Sequence, residues 1–347
     1  MSNRAITALG ARSTFTAARI LMPALVLLLG ASIVLAVMLG AAGLTPAEVW
    51  ASLSTHLTGA AAPLSRTQDA IVWQLRLPRV ITAAAVGAGL AVCGAVLQSV
   101  TRNPLADPYL LGLSSGASLG AVSVIVLGIT IALPAAAFVG ALVALLLTLA
   151  LSRGSDGISP GRTVLAGVAI SALLSALTSL VVFWSATGDT YREVLGWLLG
   201  SLSGTTWTSV VIAVGGIVLI GIPLALNARD LDAFALGDRV AASLGIAVDR
   251  TRWMLLIATA LLTAAMVSVS GSIGFVGLLV PHAVRLGVGA GHRRLLPLTI
   301  VTGALLMVWA DTIARALFDP RELPVGVVTA VLGAPMFAAL LLSKKHR

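Results

Sequence analysis

The stretch that decides the fold is residues 71–118, IVWQLRLPRVITAAAVGAGLAVCGAVLQSVTRNPLADPYLLGLSSGAS. It opens with a charged turn, LRLPR, and continues through residues 80–100 without a charge. A helix rises 1.5 Å per residue, so about 20 such residues cross the roughly 30 Å hydrocarbon layer of a bilayer. Pro104 and Pro108, with Asn and Asp between them, cannot continue that helix. The stretch therefore predicts a membrane span that ends in a loop.

The composition of the whole chain agrees with a membrane protein. Of 347 residues, 58% are hydrophobic and 10% are charged, whereas soluble domains have about 25% charged residues. The formal charge of +9 comes from basic residues scattered singly in loops. No basic stripe with interleaved aromatic residues is present, so we expect contact with membrane lipid and none with nucleic acid. The single cysteine, Cys93, excludes an intramolecular disulfide and fits core packing.

Hydropathy predicts an all-α polytopic membrane protein with about ten transmembrane helices in one domain, residues 1–347. The first apolar run is too long for a signal peptide, so residues 1–19 are expected to be a cytoplasmic tail. In the resulting topology both termini are cytoplasmic, and 16 of the 22 Lys and Arg lie on the inner side, as the positive-inside rule requires. The predicted spans are 20–42, 80–100, 112–131, 135–152, 163–184, 207–226, 253–270, 273–288, 295–314 and 325–343.

The two halves of the chain show a weak internal similarity. Spans 2–5 and 7–10 are both rich in Gly and Ala, and each set is broken near a proline, Pro104 or Pro281. An odd number of spans per repeat inverts the second copy in the membrane, so we expect inverted-repeat halves. Small residues at this density allow close packing of helices in lipid.

Two polar intervals indicate short helices at the membrane surfaces. Thr45, with Glu48 three residues later, is typical of a helix N-terminus on the outer side. Residues 229–252 contain two short segments with helical spacing of apolar residues, and Gly237 and Gly245 are candidate C-caps. An ordinary solvated loop is the alternative for this second interval.

Four motifs carry a resemblance to a known family: LRLPR, NPLADPYLLG, GxxGFVGLLVPHxxR and ELPVGVVTAxxGAPxF. Over residues 44–342 the chain resembles the FecCD-type permeases of binding-protein-dependent ABC importers for ferric siderophores, haem and cobalamin. The resemblance implies a type II importer permease in the plasma (inner) membrane of a prokaryote. It also implies a homodimer, two ATP-binding subunits and a soluble or lipid-anchored substrate-binding protein.

The chain is not expected to be an enzyme. It lacks G-x-x-x-x-G-K-[ST], so ATP would be used by a separate subunit, and no cofactor or metal site is expected in this chain. Gly112–Gly116 fits G-x-S-x-G, but it opens an apolar helix, and no histidine shows an obvious pairing with it. His282 and Arg285 are interpreted as a structural network at a helix end.

The resemblance assigns docking of the binding protein to three outer arginines, Arg76, Arg79 and Arg315. A guanidinium suits this role because its planar fork takes a carboxylate with two hydrogen bonds. The alternative is anchoring of arginines to lipid headgroups at a helix end. Asp311 lies four residues before Arg315, a spacing that allows an ion pair to position that arginine.

The remaining assignments also follow from the resemblance. The coupling helices within residues 229–252 would contact the ATPase through Leu231, Asp232, Phe234, Leu236, Gly237, Asp238, Ser243, Leu244, Gly245 and Ile246. Asn103 and Leu105 would close the cytoplasmic gate with Pro160 and Gly161, although some relatives have small hydroxyl residues at that second position. The path along the dimer interface would be lined by Ser171, Ser175, Thr178 and Ser179.

The cargo is left open among several large molecules. Ferric siderophore is the commonest in the family, and haem, cobalamin or another large anionic cofactor are alternatives. A different class, an ion-gradient-driven secondary transporter, predicts carboxylates within the membrane, and spans two to eight lack them.

Overall fold

Sixteen α-helices account for most of the chain in a computed structural model that describes residues 3–40, 43–59, 64–129, 133–154, 157–158, 160–185, 188–318 and 321–343. Two-residue strands, β1 (Arg153–Gly154) and β2 (Gly157–Ile158), pair antiparallel between two of these helices. The helices are α1 Asn3–Met38, α2 Pro46–Thr58, α3 Arg66–Ala70, α4 Leu77–Val100, α5 Leu113–Val126, α6 Leu133–Ser152, α7 Pro160–Ser185, α8 Gly188–Leu198, α9 Trp207–Gly216, α10 Ile222–Leu226, α11 Ala228–Leu236, α12 Asp238–Ser243, α13 Val248–Ser270, α14 Val276–Val288, α15 His292–Ala316 and α16 Val325–Ser343.

The predicted spans correspond to helices in the structure. Seven helical segments are long and apolar enough to cross a membrane, and the three shorter apolar helices α5, α14 and α16 supply the third, eighth and tenth spans. The first helix starts at Asn3, so residues 3–19 of the predicted tail are helical; the side of the membrane on which they lie stays a prediction. Residues 1–2 and 344–347 lie outside the described part of the chain.

The predicted charged turn before the second span is wrong, because the chain stays helical from Arg66 to Val100. Residues Ile71–Arg76 form π-helical turns that join α3 to α4 just before Pro78. Proline has no N–H, and within an α-helix its ring clashes with the preceding turn. The wider π-helical turn accommodates the proline ring. The same arrangement recurs at Ile217–Gly221, which joins α9 to α10 before Pro223.

Helix α4 lies at the centre of the protein. Its residues are almost all buried, and it packs against α9, α13, α14 and α15. Two glycines make the closest approaches possible: a Cβ on Gly87 would overlap the carbonyl oxygen of Gly303 on α15, and one on Gly94 would overlap that of Gly277 on α14. Backbone-to-backbone contact of this kind is the packing that small residues permit in lipid.

The helix contacts follow the pattern expected of inverted repeats. The second span, α4, packs against the ninth and eighth, α15 and α14, while the seventh span, α13, packs against the fourth and third, α6 and α5. The inverted repeat pairs each span of the first half with the span five places later. Replacing each span by its counterpart converts the first set of contacts into the second. Pro281, expected at a break in the second half, lies inside α14 instead, and the break falls at residues 271–275, just before that helix.

Candidate functional site

Arg79 is the centre of an ion-pair network on the predicted outer side. Its Nε donates to both carboxylate oxygens of Asp311, at 3.0 and 3.1 Å, and its Nη2 lies 3.0 Å from Asp311 Oδ1. The outward Nη1 donates to Glu322 Oε2 at 2.8 Å. Asp311 is buried, whereas the Glu322 side chain is 43% exposed. One edge of the guanidinium is therefore held inside the protein, and the other faces an exposed carboxylate.

The other two predicted docking arginines bind the end of α1. Arg76 Nη1 donates to the carbonyl oxygens of Val37 and Met38, at 2.8 and 2.9 Å. Arg315 Nη2 donates to the carbonyl oxygen of Ala36 at 3.0 Å. Carbonyl groups at a helix C-terminus lack partners within the helix and attract cations, so these contacts are favourable.

The structure thus brings all three predicted arginines to one place, but into internal contacts. Asp311 Oδ2 lies 3.2 Å from Arg315 Nε, which confirms the expected i,i+4 pair. Arg76 and Arg79 are each 8% exposed. Their role in docking stays a prediction, and in this conformation only the Nη1 edge of Arg79 faces an exposed carboxylate.

On the predicted cytoplasmic side, α11 and α12 confirm the two short helices expected within residues 229–252. Not all of the residues proposed to meet the ATPase are accessible. Leu231 and Phe234 are fully buried in the core of this chain, because they form the inner face of α11. Leu236 and Leu244 are 70% and 65% exposed. Ser243 and Gly245 are exposed as well, Ile246 is half-buried, and Gly237, the C-cap of α11, is buried.

Two of the predicted coupling residues are ion-pair partners within the chain. Asp232 accepts hydrogen bonds from the backbone N–H of His292 at 2.9 Å and from its Nδ1 at 2.6 Å. Asp238 accepts one from Arg252 Nη2 at 2.6 Å, and this guanidinium lies over the Phe234 ring, 5.4 Å from its centre. Sequence reasoning missed His292 and Arg252, because their partners are separated from them in the chain by 60 and 14 residues.

The predicted gate residues Asn103 and Leu105 are exposed in the loop after α4. Asn103 Oδ1 accepts a hydrogen bond from the backbone N–H of Leu105 at 2.9 Å, which shapes a local turn. Gly161 is exposed near the start of α7, and Pro160 is the first residue of that helix. The side chain of Pro160 lies outside the described part of the structure.

Asp107 ends the gate loop. Its Oδ1 accepts from the backbone N–H of Tyr109 at 2.9 Å and caps the short 3-10 helix Pro108–Leu111. Burial raises the pKa of Asp107 from 3.8 to about 6, and the hydrogen bond from Tyr109 lowers it in part. The Tyr109 hydroxyl donates to the carbonyl oxygen of Ile273 at 2.9 Å and joins the loop to the segment before α14.

The predicted path residues lie on α7 but do not all share one face. Ser175 and Ser179 are exposed, and Ser171 is half-buried. Thr178 is buried and its hydroxyl donates to the carbonyl oxygen of Leu174 at 2.8 Å, so it does not share the exposed face of Ser175 and Ser179. That these residues line a path stays a prediction. Between Arg162 and Asp189 the sequence has no charged residue. The exposed face of α7 is therefore apolar with interspersed hydroxyl groups.

The G-x-S-x-G sequence opens α5, an apolar helix, as expected. Ser114 lies in the first turn of α5, and its hydroxyl forms a hydrogen bond of 2.7 Å with that of Ser272. Within the described residues no group of three or more His, Cys, Asp or Glu side chains is arranged to hold a metal ion.

Comparison with known proteins gives extended matches. The FecCD transport family matches residues 27–343. The chain is 43% identical over 293 residues to the cobalamin import system permease protein BtuC of Halobacterium salinarum, covering 83% of this chain and 78% of the relative. It is 44% identical over 276 residues to the Fe(3+) dicitrate transport system permease protein FecD of Escherichia coli, covering 78% and 85%.

Similarity extends to three-dimensional structure. A solved structure described as an inward-facing conformation of a metal-chelate type ABC transporter superposes with a TM-score of 0.81 at 32% identity, covering 93% of this chain and 99% of that one. Sequence and fold lead to the same family over most of the length. The chain belongs to the FecCD transport family, whose members are the multi-pass, non-catalytic permease subunits of ABC importers.

Proposed function

We propose that two copies of this chain form the membrane path of an importer for a large iron chelate, a ferric siderophore. The observation that carries this proposal is the uncharged face of α7, where Ser175 and Ser179 are exposed among apolar side chains. Weakly polar hydroxyl groups let a large solute pass without binding it tightly. A second copy facing this surface would enclose the path between two such helices.

The cargo itself is selected by the binding protein in this proposal. The two relatives named above are 43% and 44% identical to this chain, yet their names specify cobalamin and ferric dicitrate. Overall similarity to the permease therefore does not identify the cargo. The metal-chelate description of the similar solved structure supports the iron chelate. Haem, cobalamin and other large anionic cofactors are the alternatives.

The binding protein docks at the outer arginine network. Arg79 keeps its inner edge on Asp311 and exchanges the exposed Glu322 for a carboxylate of the binding protein at Nη1. Such an exchange replaces one charge-assisted hydrogen bond by another, so it sets orientation and association rate more than affinity. Arg76 and Arg315 contribute by holding the end of α1 beside the docking position.

The ATP-binding subunits contact the opposite end through α11 and α12. In α11, α12 and the residue that follows α12, the most exposed large apolar side chains are Leu236 and Leu244. Exposed leucines next to polar loops are typical of a protein interface. Nucleotide-dependent movement there would open or close the loop that carries Asn103 and Leu105.

The experiment that tests this proposal is uptake in proteoliposomes. The protein is purified with its companion subunits from native membranes and reconstituted with its binding protein and internal ATP. Accumulation of a ⁵⁵Fe-labelled siderophore that requires ATP, from a complex with two copies of this chain, is the expected result. Uptake of cobalamin or haem instead of the chelate would show that the proposed cargo is wrong. A complex with one copy of this chain would show that the proposed homodimer is wrong.

A further inference from the structure

His292 is buried where three helices of the cytoplasmic half meet. It is the first residue of α15, it is 2% exposed, and its two ring nitrogens contact different helices. Nδ1 lies 2.6 Å from Asp232 Oδ1 on α11, and Nε2 lies 2.5 Å from Ser99 Oγ at the end of α4. One imidazole ring therefore connects a proposed coupling helix to the central helix of the protein.

Two hydrogen bonds connect His292 to Asp232 of α11. An ionised carboxylate only accepts hydrogen bonds, so Nδ1 carries the proton and donates to Asp232. The same oxygen accepts from the backbone N–H of His292 at 2.9 Å. Asp232 thus caps the N-terminus of α15 from a neighbouring helix, a position where negative charge is favourable. A displacement of α11 moves the start of α15 with it.

The connection to α4 lies directly before the gate loop. The carbonyl oxygen of Ser99 accepts from the backbone N–H of Arg102 at 3.2 Å, and that of Gln98 accepts from Asn103 at 3.1 Å. These bonds form the turn from which Asn103 and Leu105 project. Ser99 is itself buried, so its contact with the imidazole is protected from water.

We infer that His292 is a positioning residue that transmits the movement of α11 to the cytoplasmic end of α4 and so to the gate loop. This inference rests on the proposed contact between α11 and the ATP-binding subunits. The second attachment of the coupling helices, Asp238 to Arg252, leads to α13, and Arg252 lines a cavity together with Thr101, Ala106 and Asp107. Among the hydrogen bonds described for α11 and α12, the imidazole is the one bridge that continues to Ser99.

Two substitutions separate the two ends of this bridge. His292→Asn retains a donor near the position of Nδ1 and the backbone N–H that Asp232 accepts, but it cannot reach Ser99. Ser99→Ala removes one hydroxyl from the other end; the same hydroxyl also lies 3.0 Å from the carbonyl oxygen of Ala95, one turn earlier in α4. His56→Asn is the matched control, because His56 pairs with Asp69 at 3.0 Å on the predicted outer side, away from α11.

The test measures the gate loop directly and does not depend on the cargo. Leu105→Cys places an accessible thiol on the loop, while the single native cysteine, Cys93, is fully buried. The rate of maleimide labelling at position 105 is measured in the complete complex, with ATP and vanadate and without nucleotide. We expect nucleotide to change this rate by about fivefold or more, the size of a typical coupling between sites.

In His292→Asn and in Ser99→Ala, the ratio of the labelling rates with and without nucleotide should fall to near one, while ATP hydrolysis continues. A variant with both substitutions should show the same ratio as either single variant, because both changes break one connection. The His56→Asn control should keep the full effect. An unchanged nucleotide effect in Ser99→Ala would overturn the inference even if His292→Asn fails to assemble. If nucleotide has no effect in the reference protein, or Leu236→Glu does not weaken binding of the ATP-binding subunits, the proposed function fails instead.

Discussion

Arg79 and Asp311 lie 232 positions apart in the chain, yet the Nε of the arginine donates to both carboxylate oxygens of the aspartate. The pair joins α4 to α15 at their predicted outer ends, above the point where Gly87 and Gly303 bring the same two helices into backbone contact. Because Asp311 also pairs with Arg315, one buried carboxylate forms ion pairs with two guanidinium groups.

Asp311→Asn should therefore destabilise the protein strongly. Removing one partner of a buried ion pair leaves the other charge uncompensated, at a cost of about 3–5 kcal/mol. The measurement is the unfolding temperature of the purified protein in detergent. Glu322→Gln is the matched control, since its carboxylate is 43% exposed and an exposed pair contributes only about 0–1 kcal/mol. Equal unfolding temperatures for the two variants would contradict this account of the network.

Glu322→Gln should at the same time strengthen capture of the binding protein. The substitution removes the internal competitor for Arg79 Nη1 and leaves Asp311 in place. The dissociation constant should fall by up to about fivefold, because an exposed ion pair is worth no more than about 1 kcal/mol. Asp189→Asn changes the net charge equally at another exposed position on the predicted outer side and should have no effect. Weaker capture by Glu322→Gln would show that Glu322 is itself a docking residue.

Leu236→Glu and Leu244→Glu should each reduce the amount of ATP-binding subunit that purifies with this protein. Both side chains are exposed, and a charge placed in the core of an interface remains unpaired when the surfaces meet. The readout is the ratio of the subunits after purification in mild detergent. Leu57→Glu introduces the same change at a side chain of α2 that is 77% exposed on the predicted outer side. That control should retain the ATP-binding subunit in full.

The sequence predicts the helices well because the membrane imposes a length and a composition on each span. Thr45 and Glu48 form the expected capping box. Gly237 is the expected C-cap of α11, whereas the C-cap of α12 is Leu244, one residue before the expected Gly245. Such features are local, so a short stretch of sequence is enough to identify them.

The contacts of the site are harder to predict because they join distant positions. The resemblance to the family marks Arg79 as an outer arginine, but not that Glu322 covers it, 243 residues away. His292 illustrates the same limit, since Ser99 is 193 residues from it. Phe234 was expected at a surface because its spacing is amphipathic, and spacing does not distinguish the core of the same chain from a partner.

Asp107→Asn should make the stability of the protein less dependent on pH. Burial raises the pKa of Asp107 from 3.8 to about 6, so the stability that its protonated form contributes is present below the lower value and is lost as pH rises through the higher one. Asparagine keeps the oxygen that caps Tyr109 and never ionises. The gain in unfolding temperature over the parent protein should therefore grow from about pH 4 to pH 7 and then level off. Asp249→Asn, at an exposed position on the same predicted side, controls for loss of charge.

Gly94→Ala tests the contact that places α4 against α14. A methyl group at this position would overlap the carbonyl oxygen of Gly277, and backbone atoms cannot move aside as a flexible side chain can. The helices must separate, and overpacking of this kind costs about 1–3 kcal/mol. Gly30→Ala adds the same methyl group to α1, where a new Cβ would meet nothing within 4 Å. Its unfolding temperature should match or exceed that of the parent, because alanine is the better helix former. If Gly94→Ala is equally well tolerated, then α4 and α14 are not in backbone contact, and the close packing inferred for the centre of the protein is wrong.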